Sequence, residues 1–191
     1  MSVFEYLGVL ISVVMGLGVT HVLIGISKTI HHRDTVRVYW VHLWWAVNVL
    51  FYVIAVWWGM FWWSTLGEWT FFQFLFVIAY AIILFLLASL LFPWDMDDDF
   101  DFERHFYDNR RWFFGILFLA WCIDIPETIL KAEGGLRALP AAYTAWVTAL
   151  LVLAAYAAWT DSKRYHSFYA VFWLVWVLGY LSLTTLNVIA V

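Results

Sequence analysis

Along this chain, long apolar runs alternate with short polar breaks. Six runs approach the 20 or so helical residues needed to cross an apolar slab about 30 Å thick. They cover 4–26, 39–62, 71–92, 112–130, 141–159 and 167–191. None alternates apolar and polar side chains with the two-residue period of a barrel strand. The breaks are ordinary helix punctuation: Ser27-Lys28, the stretch 64–70, Pro93, Gly134-Gly135 ahead of Pro140, and 160–164. The pattern predicts an all-α fold, a six-transmembrane-helix bundle forming one domain over 1–191. Its longest connection, 93–111, is acidic and aromatic and joins helices 3 and 4.

Composition strengthens this reading. The chain is 65% hydrophobic and 13% charged, with a mean hydropathy of +0.84. A soluble domain is about half apolar and a quarter charged. One cysteine excludes a disulfide scaffold, and 22% aromatic content excludes disorder. A net charge of −4 without a basic stripe argues against nucleic-acid binding. The bilayer is the expected partner, together with further copies of the chain or another membrane subunit.

The basic residues set an expected orientation. Lys28, Arg33 and Arg37 lie in the first connection, Arg104, Arg110 and Arg111 in the third, and Lys163 and Arg164 in the fifth; only Lys131 and Arg137 fall in an even one. Basic residues stay on the cytoplasmic side, so both termini are expected outside, with helix 1 an uncleaved anchor. Tryptophans fit the same frame as interfacial rings: Trp40, Trp44, Trp45, Trp94 and Trp112 on the inner side, and Trp57, Trp58, Trp62, Trp63 and Trp69 on the outer.

Ionisable groups inside spans are costly and mark candidate sites. Toward the outer side stand Glu5, Gln73, Asp124, Glu127 and Asn187. Asp124 and Glu127 are three apart, which puts both carboxylates on one helix face. Pro126 between them cannot donate to the Cys122 carbonyl, so an acceptor is freed and a bend is expected. The group suits a cation or proton, although Glu127 can also pair with Lys131 one turn on. All six histidines fall on the expected inner half: His21, His31, His32, His42, His105 and His166. His21 and His42 have depths that would let them share a proton, a metal or a haem iron across a helical hairpin. No zinc-ligand spacing accompanies them, and no cofactor is required by the sequence. In the third connection Asp97, Asp99, Asp101 and Asp108 occupy positions 1, 3, 5 and 12 of a calcium loop, but Phe102 replaces the glycine needed at position 6. These acids are read instead as a cation-attracting patch, with Phe100, Phe102, Phe106 and Tyr107 resting in the interface. Gly8, Ser12, Gly16 and Thr20 form a small-residue stripe on helix 1, expected to pack against a neighbouring helix.

Two pairs of segments carry a resemblance. One pair is Ile11-Ser-Val-Val-Met-Gly-Leu-Gly-Val-Thr-His21 and Tyr39-Trp-Val-His-Leu-Trp-Trp45. The other is Leu91-Phe-Pro93 and Tyr107-Asp-Asn-Arg-Arg-Trp-Phe-Phe114. Over about the first 115 residues the chain resembles a group of small, uncharacterised bacterial multi-pass proteins. The resemblance implies a bacterial inner membrane and no particular activity, and it directs attention to His21, Trp40 and His42.

Three functions fit these observations. The first is an oligomeric proton or small-cation channel or transporter, in which Asp124 and Glu127 collect the ion, Glu5 and Asn187 stand nearby, and His21 and His42 relay it. The second is a redox or metal protein with His21 and His42 as ligands. The third is a non-catalytic assembly subunit. No nucleophile elbow, phosphate loop or complete zinc motif points to an enzyme, and no lysine falls in mid-span for a retinal. An enzyme acting on lipids stays open.

Overall fold

The computed structural model describes residues 2–96, 99–135 and 142–185. Among them the fold is all-α, with six α-helices and one 3-10 turn. The helices are α1 Val3–His31, α2 Trp40–Met60, α3 Phe71–Ser89, α4 Phe102–Glu133, α5 Tyr143–Trp159 and α6 Lys163–Thr185; the turn, Phe61–Thr65, extends α2. Four of these segments are long and apolar enough to cross a membrane: α1, α2 with its turn, α3 and α4. At 17 residues, α5 rises only about 26 Å. α1 lies along α3, α5 along α4, and α3 joins these two pairs, while α2 packs on α6 and also meets α1 and α3.

Side-chain caps fix the starts of α1, α3 and α4. Ser2 and Glu5 form a reciprocal box on α1, with the Glu5 amide donating to Ser2 Oγ (3.1 Å) and the Ser2 amide to Glu5 Oε2 (2.9 Å). Thr70 and Gln73 repeat the arrangement on α3. Asp101 caps α4, accepting from the Arg104 amide at 3.0 Å. These caps answer amides that have no partner within the helix.

The acidic connection is therefore shorter than 93–111: its second half has become the first turns of α4. Backbone hydrogen bonds tie it to the α1–α2 connection, from the Arg37 amide to the Phe100 carbonyl and from the Phe102 amide to the Arg37 carbonyl. Phe102 and Phe106 do not rest in an interface but are buried in the bundle. Trp45 and Trp63, expected in the interfacial belts, are likewise core residues, at 0% and 1% exposure. Apolar side chains also cover the outside, including Val9, Val13 and Leu17 on α1, Ile54 and Trp58 on α2, Phe72 on α3 and Val175 on α6. An apolar outer surface on a bundle with an apolar core suits lipid rather than water.

The small-residue contact of α1 is displaced from its expected face. A Cβ added at Gly8 or Gly16 would meet nothing within 4 Å, and Ser12 bonds back to the Gly8 carbonyl. Close approach occurs at Gly18 and Gly25, which lie on the buried face with Leu7, Ile11, Met15 and Val22. A Cβ at Gly18 would stand 3.3 Å from Ala88 Cβ, and one at Gly25 would stand 2.1 Å from Phe92 Cγ. A methyl cannot share that space with a ring buried to 1% exposure. Gly25→Ala is expected to destabilise the fold by about 1–3 kcal/mol through overpacking, while Gly8→Ala leaves stability almost unchanged. Thermal melting of the detergent-solubilised variants checks the contrast.

Candidate functional site

At one end of the bundle, five helices converge on a cavity of about 90 Å³. α2 contributes Tyr52 and Gly59, α3 Tyr80, α4 Trp121, Asp124, Glu127 and Lys131, α5 Tyr143 and Trp146, and α6 Val177. The volume corresponds to about three waters at their liquid share of about 30 Å³ each.

Two polar units meet there. In the first, Tyr143 Oη donates to Asp124 Oδ2 (2.8 Å) and Tyr80 Oη to Asp124 Oδ1 (3.3 Å). Tyr80 spends its single proton on Asp124, so the Tyr52 hydroxyl must donate to Tyr80, 3.1 Å away. Three phenols from three helices thus direct their donors toward one carboxylate. In the second unit, Glu127 and Lys131 form an ion pair one turn apart, both at 5% exposure or less. Trp63 Nε1 donates to Glu127 Oε1 (3.0 Å), and Lys131 Nζ donates to the Gly59 carbonyl (2.7 Å). This pair neutralises itself and fastens α4 to α2 and the following turn. Among the described residues, Asp124 has no cation as a hydrogen-bond partner. The lining residues Asp124, Glu127 and Lys131 together carry one net negative charge when ionised.

α4 continues as a helix through Pro126. The i, i+3 spacing points Asp124 and Glu127 into one cavity, as expected, but toward different partners. The other expected site residues lie elsewhere. Glu5 is engaged in the α1 cap and lines a separate surface groove with Gly8, Ser12, Trp57 and Phe61. Asn187 and Asp97 fall outside the described residues. Asp99 is exposed with φ 72°, Asp101 caps α4 and faces Arg37, and Asp108 sits on α4 facing Arg104. Among the described residues, no group of three or more His, Cys, Asp or Glu side chains is placed to hold a metal ion.

The histidines gather at the opposite end, around the close of α3. His21 Nε2 donates to the Phe92 carbonyl (2.9 Å), and its ring lies against Trp94. Lys28 donates to the Trp94 carbonyl (2.9 Å). His42 packs against Phe92, Phe102, Phe106 and His105 with ring centroids 5.1–6.5 Å apart. The backbone of Leu91 faces His42 and those of Leu90 and Leu91 face His105, but neither Nε2 closes a hydrogen bond. His21 and His42 both reach Phe92, one at its carbonyl and the other at its ring. The arrangement fastens the segment that follows α3 to α1 and α2.

His105 and Asp124 are 19 residues apart on α4, about 28 Å at the helical rise. Trp45, Phe114, Leu117, Trp121 and Trp173 lie in the intervening core, none more than 2% exposed. Trp45 meets Phe114, Tyr169 and Trp173, while Trp121 stacks on Tyr52 at 4.7 Å and meets Trp146 at 5.2 Å.

The three phenols were not apparent from the sequence, although a buried Tyr hydroxyl generally requires a partner. Asn48, at 0% exposure, was also missed; its Nδ2 donates to the Ala170 carbonyl (2.8 Å) and ties α2 to α6. The capping roles of Glu5 and Gln73 are written locally in Ser2-Val-Phe-Glu5 and Thr70-Phe-Phe-Gln73.

No protein-family model, curated protein or solved structure matches this chain.

Removing one partner of a buried ion pair leaves the other charge unanswered, at a cost of about 3–5 kcal/mol. Lys131→Met and Glu127→Gln are each expected to lower stability on that scale. The double variant should recover much of the loss, and chemical denaturation of all four proteins measures the coupling.

Proposed function

We propose that this is a six-span membrane protein, with both termini outside, that takes up a proton or small cation at Asp124 as one copy of an oligomeric transporter or channel. The observation that carries this reading is the charge distribution around the cavity. Glu127 and Lys131 cancel each other, whereas two phenols, one of them backed by a third, hydrogen-bond Asp124, which among the described residues has no cation as a hydrogen-bond partner. A carboxylate at membrane depth must be protonated or matched by a positive charge, which makes Asp124 the group whose state changes when an ion arrives. The basic residues of the connections assign this end to the outer side. The resemblance to bacterial multi-pass proteins favours an inner membrane.

Within one chain, packed aromatic rings occupy the course from Asp124 toward the histidines. That favours passage through helix movement or along a contact between copies over a standing pore. The closed Glu127–Lys131–Trp63 unit supports a second reading, in which the polar residues only hold the helices together in an assembly subunit.

Proton flux driven by a pH gradient in proteoliposomes separates the two readings. Asp124→Asn is expected to reduce flux at least about tenfold, the rate equivalent of about 1.4 kcal/mol. Equal flux from wild type and Asp124→Asn would remove the transport reading and leave the assembly role.

A further inference from the structure

We infer that the Asp124 cavity is built for a small organic ammonium ion, such as an alkylamine or amino alcohol, rather than a bare alkali or divalent cation. This rests on the reading of Asp124 as a cation-binding group and narrows the ligand.

Two features of the wall select that class. The first is oxygen supply. A hard cation such as calcium surrounds itself with six to eight oxygen ligands, and a potassium filter replaces hydration with rings of carbonyls. Here the oxygens around Asp124 are its own carboxylate, the phenols already bonded to it and the Thr128 hydroxyl that faces Tyr143, while Glu127 is held by Lys131 and Trp63. The second is the aromatic surround. Tyr52, Tyr80, Trp121, Tyr143 and Trp146 all border the cavity, and such rings attract organic cations while replacing little of a metal ion's hydration shell.

Charge and size agree with this assignment. A carboxylate has about four acceptor positions, and the two phenols use two of them, leaving room for an ammonium donor. One positive charge balances the cavity. A volume of about 90 Å³ suits a ligand of a few heavy atoms.

The test is a titration of the purified full-length protein in detergent, at constant ionic strength, followed by tryptophan fluorescence. Ethanolammonium, trimethylammonium and potassium chloride are the probes. Saturable responses to the two organic cations are expected, with potassium giving none. Asp124→Asn should weaken ethanolammonium binding at least about tenfold, in line with the loss of a charge-assisted contact. Labelling of Asp124 by a hydrophobic carbodiimide in the wild-type protein, located by mass spectrometry, provides a readout that needs no variant. Ethanolammonium should protect Asp124, and potassium should not. Potassium binding or protecting as well as ethanolammonium overturns the inference, as does organic-cation binding unaffected by Asp124→Asn. Asp124-dependent proton flux without organic-cation binding overturns it too, while sparing the wider reading. Loss of both Asp124-dependent flux and Asp124-dependent binding ends both.

Discussion

Hydrocarbon offers no hydrogen bonds, so a polar group taken into it must find its partner within the protein. That requirement organises this molecule more than any single apolar contact. Asp124 draws phenols from α2, α3 and α5 into one chain of donors. Lys131 and Glu127 hold the turn after α2. Asn48 reaches the backbone of α6, and His21 the end of α3. Each contact joins separate elements of the bundle, so the polar minority sets how the apolar majority is arranged.

The two ends of the bundle meet this requirement differently. At the histidine end, His21 and Lys28 bond the carbonyls of Phe92 and Trp94 just past α3, and aromatic rings fill the rest. At the Asp124 end, hydroxyls surround a carboxylate beside a cavity. The first arrangement fastens the segment after α3. The second leaves acceptor capacity on Asp124 that the described residues do not use.

The sequence reveals the helices more readily than their contacts. Apolar run length located all six helices because the cost of exposing backbone polar groups to lipid depends on length and composition alone. Helix ends were harder to read. The turns after Phe102 are polar on several faces and look like loop, yet Asp101 caps them and Phe102 and Phe106 are buried. Small residues marked the Gly8, Ser12, Gly16 and Thr20 face of α1, whereas Ala88 and Phe92 opposite make Gly18 and Gly25 the close contact. Asp124 and Glu127 stood out because charge is rare in spans, and their spacing gave the shared face. The tyrosines did not stand out, since an aromatic residue in an aromatic-rich span carries no local sign of where its hydroxyl points. Lys131 shows the limit most clearly: one turn from Glu127 it was readable as a partner, but its hold on Gly59 depends on a helix 72 positions back along the chain.

α4 links these two ends physically. Its 32 residues make a rod of about 48 Å, longer than the hydrocarbon layer is thick. Near its foot, Glu103 engages Lys163 and Arg110 engages Asp161, so the α5–α6 connection is strapped to it. The same rod carries Asp124 and Lys131 near its far end. A lever with its short arm strapped by those ion pairs and its long arm under the Asp124 carboxylate cannot tilt at one end without moving at the other.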